Sequence, residues 1–113
     1  MNLQDELTPE FLSWVLGKKG LIVDRIEDNI LFYLTPANFF SSVNLDTLTR
    51  LIKEKIVDDY NIIETVRKLY NGSLEYIIEV RDYQTALYEE FKSESELEAV
   101  IKAGKYVWEK VRC

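Results

Sequence analysis

Five glutamates close together near the end of the sequence form its main charge feature. They stand against a single Lys92 within residues 89–98, whereas residues 102–112 carry four basic residues and one acid. Acids at the start of a helix and bases at its end both complement the helix dipole, which is the structural interpretation. The functional interpretation is an acidic surface that contacts a basic partner. These glutamates are Glu89, Glu90, Glu94, Glu96 and Glu98.

Aromatic residues add a second candidate for contact with a partner. The sequence holds seven tyrosines, and tyrosine is enriched both at interfaces and in strands. Tyr83 and Tyr88 precede or adjoin the glutamates, so we expect one acidic–aromatic contact surface there. Phe39 and Phe40 follow Pro36 in a predicted loop. They either close the end of the core or anchor an interface, because exposed adjacent aromatics are unfavourable unless covered.

Glu64 and Glu79 are the candidate pair for acid–base chemistry. Two carboxyl groups at a set separation hydrolyse glycosides when their pKa values differ. The hairpin register expected below places these two residues opposite each other, with Arg81 diagonally across from Glu64. A solvated surface pair partnered by Arg81 is the structural interpretation. The spacing of a calcium-binding loop is absent from the sequence.

Most catalytic and cofactor-binding devices are excluded by residue type. The sequence has no histidine and one cysteine, Cys113. This excludes Ser-His-Asp and Cys-His catalysis, histidine or cysteine metal clusters and intramolecular disulfides. The four glycines do not form a phosphate-binding loop. We therefore expect no enzyme activity, no cofactor and no metal, and we interpret Cys113 as an incidental free thiol in a reducing compartment.

Composition and charge indicate one domain over residues 1–113. Hydrophobic residues make up 47% of the chain, enough for a core that needs no disulfide. The net charge is -6, so direct binding of nucleic acid is not expected, because phosphates require a basic surface. No apolar run approaches the roughly 18 residues of a membrane span. The first residues lack the pattern of a signal peptide, so we expect a cytoplasmic protein with no membrane partner.

The beginning of the sequence predicts a helix followed by a hairpin. Thr8 and Pro9 are typical of a helix start, and Gly17 is typical of its end. Residues 21–27 and 30–35 are β-rich runs separated by a two-residue turn.

The middle of the sequence predicts a loop and a second helix. Residues 35–43 are expected to form the loop. An apolar stripe of helical spacing then begins, with Asn44 or Asp46 as the capping residue. Two aspartates at residues 58–59 end this helix.

Asn71 and Gly72 give the strongest local signal in the sequence. This dipeptide is typical of a two-residue type I′ turn, in which both central residues take positive φ. The turn predicts a hairpin over residues 61–81 in which the numbers of paired residues sum to 143. Lys68 then faces Glu75, and opposite charges favour such cross-strand pairs.

The end of the sequence predicts a strand over residues 85–91 and a final helix. Ser93 and Glu96 form a capping box, in which Ser93 bonds the third amide and Glu96 reaches back. The element order is therefore α-ββ-α-βββ-α, which predicts an α+β fold with an antiparallel sheet covered by helices. The buried side of the last helix is expected to carry Leu97, Val100, Ile101, Gly104, Trp108 and Val111.

Three hypotheses for function follow from these features. The first is a non-catalytic acidic module that binds another protein, in its sharper form an inhibitor or immunity-type protein acting on a basic, nucleic-acid-handling partner. The alternative is a self-assembling structural or accessory protein, of phage or bacterial type, which forms a homo-oligomer through an apolar sheet face or edge. The third is a small histidine-free enzyme built around Glu64 and Glu79.

Overall fold

The computed structural model describes residues 2–37, 39–85 and 88–112 and shows an α+β fold, as predicted. Two three-stranded antiparallel sheets have the strand orders β1-β2-β3 and β4-β5-β6. The chain divides into two compact units, residues 1–51 and 52–113, and the division falls within α3. The elements are α1 (Leu3–Glu6), α2 (Pro9–Leu16), β1 (Ile22–Glu27), β2 (Ile30–Leu34), β3 (Phe40–Asn44), α3 (Leu45–Val57), β4 (Tyr60–Lys68), β5 (Leu74–Asp82), β6 (Tyr88–Ser93) and α4 (Glu96–Val111).

The predicted element order lacks one strand and one short helix. The loop expected over residues 35–43 contains the start of β3, which pairs with β2 from Phe40 to Asn44. The segment has no clear apolar–polar alternation, so its strand state depends on the neighbouring strand. The short α1 also precedes α2. The prediction of a single domain over residues 1–113 stays a prediction, and Cys113 lies outside the described residues.

The first predicted helix is confirmed at both ends. Thr8 Oγ1 accepts a hydrogen bond from the Phe11 amide at 3.3 Å, and Pro9 occupies the first helical position. Gly17 ends α2 at φ +67°, a left-handed conformation that glycine adopts without a Cβ clash.

The start of the second predicted helix has Asn44 as its capping residue. Asn44 Oδ1 accepts a hydrogen bond from the Asp46 amide at 2.8 Å, so Asn44 caps α3.

The type I′ turn is present, but in the first hairpin rather than the second. Asp28 and Asn29 both have positive φ, 52° and 64°, and they join the paired residues Glu27 and Ile30. Both short polar side chains tolerate the left-handed region. The first hairpin therefore has the turn geometry that the sequence predicts for residues 71–72.

The predicted turn and register of the second hairpin are wrong. Only Gly72 has positive φ there, +88°. Leu69 donates its amide to the Ser73 carbonyl at 2.8 Å, so three residues form the loop. Paired residues sum to 142, and Lys68 faces Leu74 instead of Glu75. A shift of one residue exchanges which side chains share a sheet face.

The predicted cap of the last helix is displaced by two residues. Ser95 is the N-cap of α4 and accepts from the Glu98 amide at 3.4 Å. Ser93 Oγ instead accepts from the Ser95 amide at 3.1 Å and donates to Glu98 Oε2 at 2.8 Å. Glu96 does not reach back to the helix start. Ser93 and Ser95 each precede a glutamate by three positions, so both fit the sequence pattern of a cap. Ser93 is the last residue of β6, and the cap position falls to Ser95.

Each unit has its own set of buried apolar side chains. Val107 replaces Val111 on the buried side of α4, where Trp108 is half-buried and Val111 is exposed. Ala99, Ala103 and Gly104 let this helix lie close to β5 and β6. The buried apolar residues of the first unit are Leu7, Phe11, Leu12, Val15, Leu21, Leu31, Tyr33, Leu45 and Leu48. Those of the second unit are Ile52, Ile56, Ile78, Val80, Ala99, Val100, Ile101, Ala103 and Val107.

Among the described helices, none has the length and apolar character that crossing a membrane requires.

Candidate functional site

The five clustered glutamates do not form one surface. Glu89 and Glu90 are successive residues of β6, so their side chains point to opposite faces of the second sheet. Glu90 Oε2 lies 3.8 Å from Lys92 Nζ on the face that carries Glu79. Glu94 accepts a hydrogen bond from Ser73 Oγ at 3.3 Å. The partner-binding role of these residues stays a prediction. Because they lie on different surfaces, a single partner surface would not contact all of them in the same way.

The remaining two glutamates have partners within the second unit. Glu98 accepts from Ser93 Oγ beside the N-cap of α4, as described above. Glu96 instead lies 3.0 Å from Lys53 Nζ, an ammonium group on α3. Acidic residues at this helix start also complement the helix dipole. Both side chains therefore have structural roles.

Lys53, Glu64 and Glu96 form a charged cluster, which we call the Lys53 cluster. Lys53 Nζ bridges Glu64 Oε2 at 2.8 Å and Glu96 Oε2 at 3.0 Å. Three elements supply the three side chains, namely α3, β4 and the first turn of α4. The side chains are 28%, 25% and 39% exposed, so solvent reaches all of them. Nothing in the sequence spacing indicates this association.

The pKa values of the two carboxyl groups in the Lys53 cluster shift in opposite directions. Partial burial, and then a hydrogen bond with Glu96, raises the pKa of Glu64 against the opposing effect of Lys53. The same hydrogen bond, aided by Lys53, lowers the pKa of Glu96. Partial burial acts to lower the pKa of Lys53, but hydrogen bonds to both glutamates outweigh it and the pKa is raised. Glu64 is thus the first of the two to take up a proton.

The predicted pairing of Glu64 with Glu79 is wrong. Glu64 faces Ile78 across the hairpin, and Glu79 faces Ile63, so the two glutamates lie on opposite faces of the second sheet. Glu79 Oε1 accepts from Arg81 at 2.9 Å. The cause is the one-residue register shift, which follows from the three-residue loop at the hairpin end. The two glutamates do not form a joint acid–base site.

The two tyrosines of the expected contact surface are exposed, and each contacts a different neighbour. Tyr88 lies on the outer face of the second sheet, where Arg81 Cζ is 5.3 Å from its ring centroid. Tyr83 follows β5, and its hydroxyl donates to the Val57 carbonyl at 3.4 Å. Both keep more than half of their surface in solvent. The described contacts of the two tyrosines are with Arg81 of β5 and with the carbonyl of Val57.

The two phenylalanines do not close the core. Phe39 and Phe40 are each 69% exposed, which favours the interface interpretation. Phe40 is the first residue of β3 and pairs with Leu34, which pairs in turn with Ile22 of β1. Directly paired residues share a sheet face. Ile22, Leu34 and Phe40 therefore form a row across all three strands, which we call the apolar row.

The apolar row lies on the solvent-facing side of the first sheet. Ile22 is 60% exposed, whereas Leu31 and Tyr33, which alternate with Leu34 along β2, are buried on the other side. The next row on the outer side contains Phe32, and Arg25 Cζ lies 4.2 Å above its ring centroid. Arg25 also donates to Glu27 Oε2 at 2.9 Å. An apolar centre with a charged margin is typical of a contact surface between proteins.

A cavity of about 170 Å³ in the second unit is lined in part by polar side chains. Tyr60, Tyr106, Asp82 and Lys110 are among its lining residues. Burial, and then the charge of Asp82, raises the pKa of Tyr60, so its hydroxyl stays protonated. Asp82 Oδ1 accepts from the Gln84 amide at 2.7 Å. The cavity offers hydrogen bonds, and its carboxylate is already engaged.

A larger, open hollow of about 500 Å³ lies along the end of the second hairpin. Its lining residues are Arg67, Lys68, Leu69 and Tyr70. Arg67 forms an ion pair with Glu75 at 2.7 Å, and Tyr70 is fully exposed. One short stretch of chain supplies these residues, so the hollow lacks convergent groups from several elements. Within residues 2–37, 39–85 and 88–112, no group of three acidic or cysteine side chains is arranged to hold a metal ion.

The comparison of this chain with protein-family models, with curated proteins and with solved structures gives no match.

Proposed function

We propose that this protein is a non-catalytic module that binds another protein through the outer face of its first sheet. The observation that carries the proposal is the apolar row, in which Ile22 and Phe40 flank Leu34 with most of their own surface in solvent. Buried aromatic side chains near the centre of an interface contribute much of its binding free energy. A folded protein that keeps such a row in water gains stability when a partner covers it.

The charge of the chain supports a basic partner. The net charge is -6, and Glu89, Glu90 and Glu94 keep exposed side chains. An acidic protein attracts a basic partner over a distance and speeds association, with a strong dependence on salt. A basic, nucleic-acid-handling protein fits this description, and the module would then act as an inhibitor or immunity-type protein. In this proposal the apolar row provides contact and the acidic residues provide steering.

The second function, self-assembly, rests on a different feature, the uncharged edge strand β3 of the first sheet. An enzyme is less well supported because the one proposed carboxylate pair is divided between two sheet faces.

A capture experiment with matched variants tests the proposal. The tagged protein is incubated with lysate of its native host and washed at low and high salt, and the retained proteins are identified by mass spectrometry. The test variant is Ile22→Ser/Phe40→Ser, and the control is Tyr70→Ser, which removes a fully exposed aromatic far from the row along the chain. Circular dichroism checks that each variant keeps its fold.

We expect a protein that the wild type and the Tyr70 variant retain and that the double variant releases. Titration of that purified partner should show at least about a tenfold loss of affinity in the double variant, since truncation of a hot-spot side chain near the centre of an interface costs about 2 kcal/mol or more. Binding that survives in the double variant but is lost in Glu89→Gln/Glu90→Gln/Glu94→Gln would assign contact to the acidic residues instead. Failure of the wild type to retain any partner contradicts the proposal.

A further inference from the structure

The open edges of the two sheets differ in charge. The described sheets have four edge strands, β1, β3, β4 and β6. Proteins commonly protect edge strands against pairing with other chains by charged residues and bulges. Three of these edges follow the rule, with three charged residues on each strand and an irregular register between Val23 and Arg25 of β1. Strand β3, with the sequence Phe-Ser-Ser-Val-Asn, carries no charge at all.

The hydrogen-bond pattern shows which peptide groups of β3 face outward. Leu45 donates its amide to the Asn29 carbonyl at 2.9 Å, and Thr35 donates to the Phe39 carbonyl at 3.1 Å. Hydrogen-bonded and non-hydrogen-bonded pairs alternate along an antiparallel ladder. Residues 41 and 43 therefore bond to β2, and the peptide groups of residues 40, 42 and 44 point away from it. All three of these residues are exposed.

From these two observations we propose that a second copy of this chain pairs antiparallel with β3, about a two-fold axis at Ser42. Ser42 of one copy then pairs with Ser42 of the other, and Phe40 pairs with Asn44. Each outward amide meets an outward carbonyl, so the edge is complementary to itself, as a two-fold interface requires. A charged residue on this edge would meet a like charge close to the axis, and β3 has none.

This pairing goes beyond the proposed function because it uses the strand edge rather than the sheet face. It joins the two first sheets into one six-stranded sheet and leaves both apolar rows on the same outer side. Five residues from each copy bury less area than the roughly 800 Å² per partner of a stable interface. We therefore expect a weak dimer with a dissociation constant of about 10–100 µM.

Sedimentation velocity of the full chain from about 5 to 500 µM tests the dimer over that range. The wild type should shift from monomer to dimer as concentration rises. Ser42→Lys and Ser42→Glu each place two like charges on either side of the axis, so each variant should remain a monomer at every concentration. Thr65→Lys, a substitution on the charged edge strand β4, is the matched control and should dimerise like the wild type.

Mixing the two Ser42 variants gives the decisive result. Lysine on one copy then faces glutamate on the other, so the equimolar mixture should associate at least as tightly as the wild type. A wild type that is monomeric at about 500 µM overturns the proposal. A dimer that persists in both Ser42 variants, or a mixture that stays monomeric, overturns it as well. None of these results bears on capture of a partner by the apolar row, so the two proposals fail separately.

Discussion

Replacement of Lys53 by methionine tests the electrostatics of the Lys53 cluster. The ammonium group contacts both Glu64 and Glu96, at 2.8 Å and 3.0 Å. Methionine keeps the apolar stem of the side chain and removes the charge. Glu64 and Glu96, which share a hydrogen bond when Glu64 carries a proton, are then left without the cation that bridges them.

The exposure of the three side chains sets the size of the expected loss. Exposed ion pairs contribute about 0–1 kcal/mol, whereas removal of one partner from a fully buried pair costs about 3–5 kcal/mol. Lys53 and Glu64 are about one-quarter exposed and Glu96 is 39% exposed, so solvent screening discounts the contact with Glu96 most. We expect Lys53→Met to lower the free energy of unfolding by about 1–2 kcal/mol at neutral pH.

The loss of stability in Lys53→Met should be smaller at acidic pH than at neutral pH. A carboxyl group whose pKa is raised by folding contributes stability at low pH and loses that contribution as the pH rises through the folded-state pKa. Glu64 belongs to this class, and removal of Lys53 raises its pKa further. Glu96 has a lowered pKa, so its contribution is present above its ordinary pKa and weakens when Lys53 is removed. Acidification therefore protonates Glu64 and reduces the loss.

Urea denaturation followed by circular dichroism, at about pH 7 and about pH 4.5, measures both effects. Lys19→Met is the control, because Lys19 is an exposed lysine outside the cluster. Equal losses at the two pH values would refute the electrostatic argument. A Lys53 variant as stable as the Lys19 variant at neutral pH would show that the contacts contribute nothing measurable.

Three further predictions concern the turns and the last helix, and each is checked by the same denaturation measurement. Asn29→Gly should raise the free energy of unfolding by about 0.5–1 kcal/mol, since φ is 64° there and glycine has no Cβ penalty; a lower stability would contradict the left-handed turn. Gly72→Ala should lower it by about 1–2 kcal/mol because φ is +88°. Val107→Ala should lower it by about 2 kcal/mol and Val111→Ala by less than about 0.5 kcal/mol, since the first is 0% and the second 38% exposed. A larger loss for Val111→Ala than for Val107→Ala would instead support the buried helix face predicted from the sequence.

Local signals in the sequence predict the elements whose ends are fixed by neighbouring residues. Thr8, Pro9 and Gly17 bound α2 because capping and left-handed termination act within a few residues. The class of fold follows from the same kind of signal. Strand β3 is different, because its five residues have no pattern of their own and gain their state from β2. A sequence read residue by residue does not contain that information.

The second hairpin shows why register is harder to predict than the position of a turn. Asn71-Gly72 fits a two-residue turn and also a three-residue loop in which only Gly72 is left-handed. The two loops differ by one residue in pairing, and Ile62 rather than Ile63 then faces Val80. Contact between α4 and β5 favours the observed register, since Val80 and Ile78 are buried there. Tertiary packing therefore selects one of the two strand registers that the Asn71-Gly72 dipeptide allows.

The candidate sites depend on that same tertiary information. The acidic residues were visible in the sequence, but the association of Lys53 with Glu64 and Glu96 joins residues 43 positions apart. The sequence predicts Phe40 as a candidate anchor, whereas Ile22 and Leu34 join it only through the pairing of β1, β2 and β3. The sequence supplies the side chains of a contact surface, and the strand pairing places them in one row.

The consecutive strand order of the two sheets has a consequence for the protein during its synthesis. All described pairings join strands that are neighbours in the chain, so the first sheet has every one of its strands by residue 44. Hairpins form in about 1–10 µs, whereas synthesis of roughly 50 further residues takes about 2–10 s. Strand β3 and the apolar row can therefore be present on a ribosome-bound chain for seconds before the second sheet exists. Neighbouring ribosomes on one message would bring such chains together, at a stage when their uncharged edges are the parts already formed.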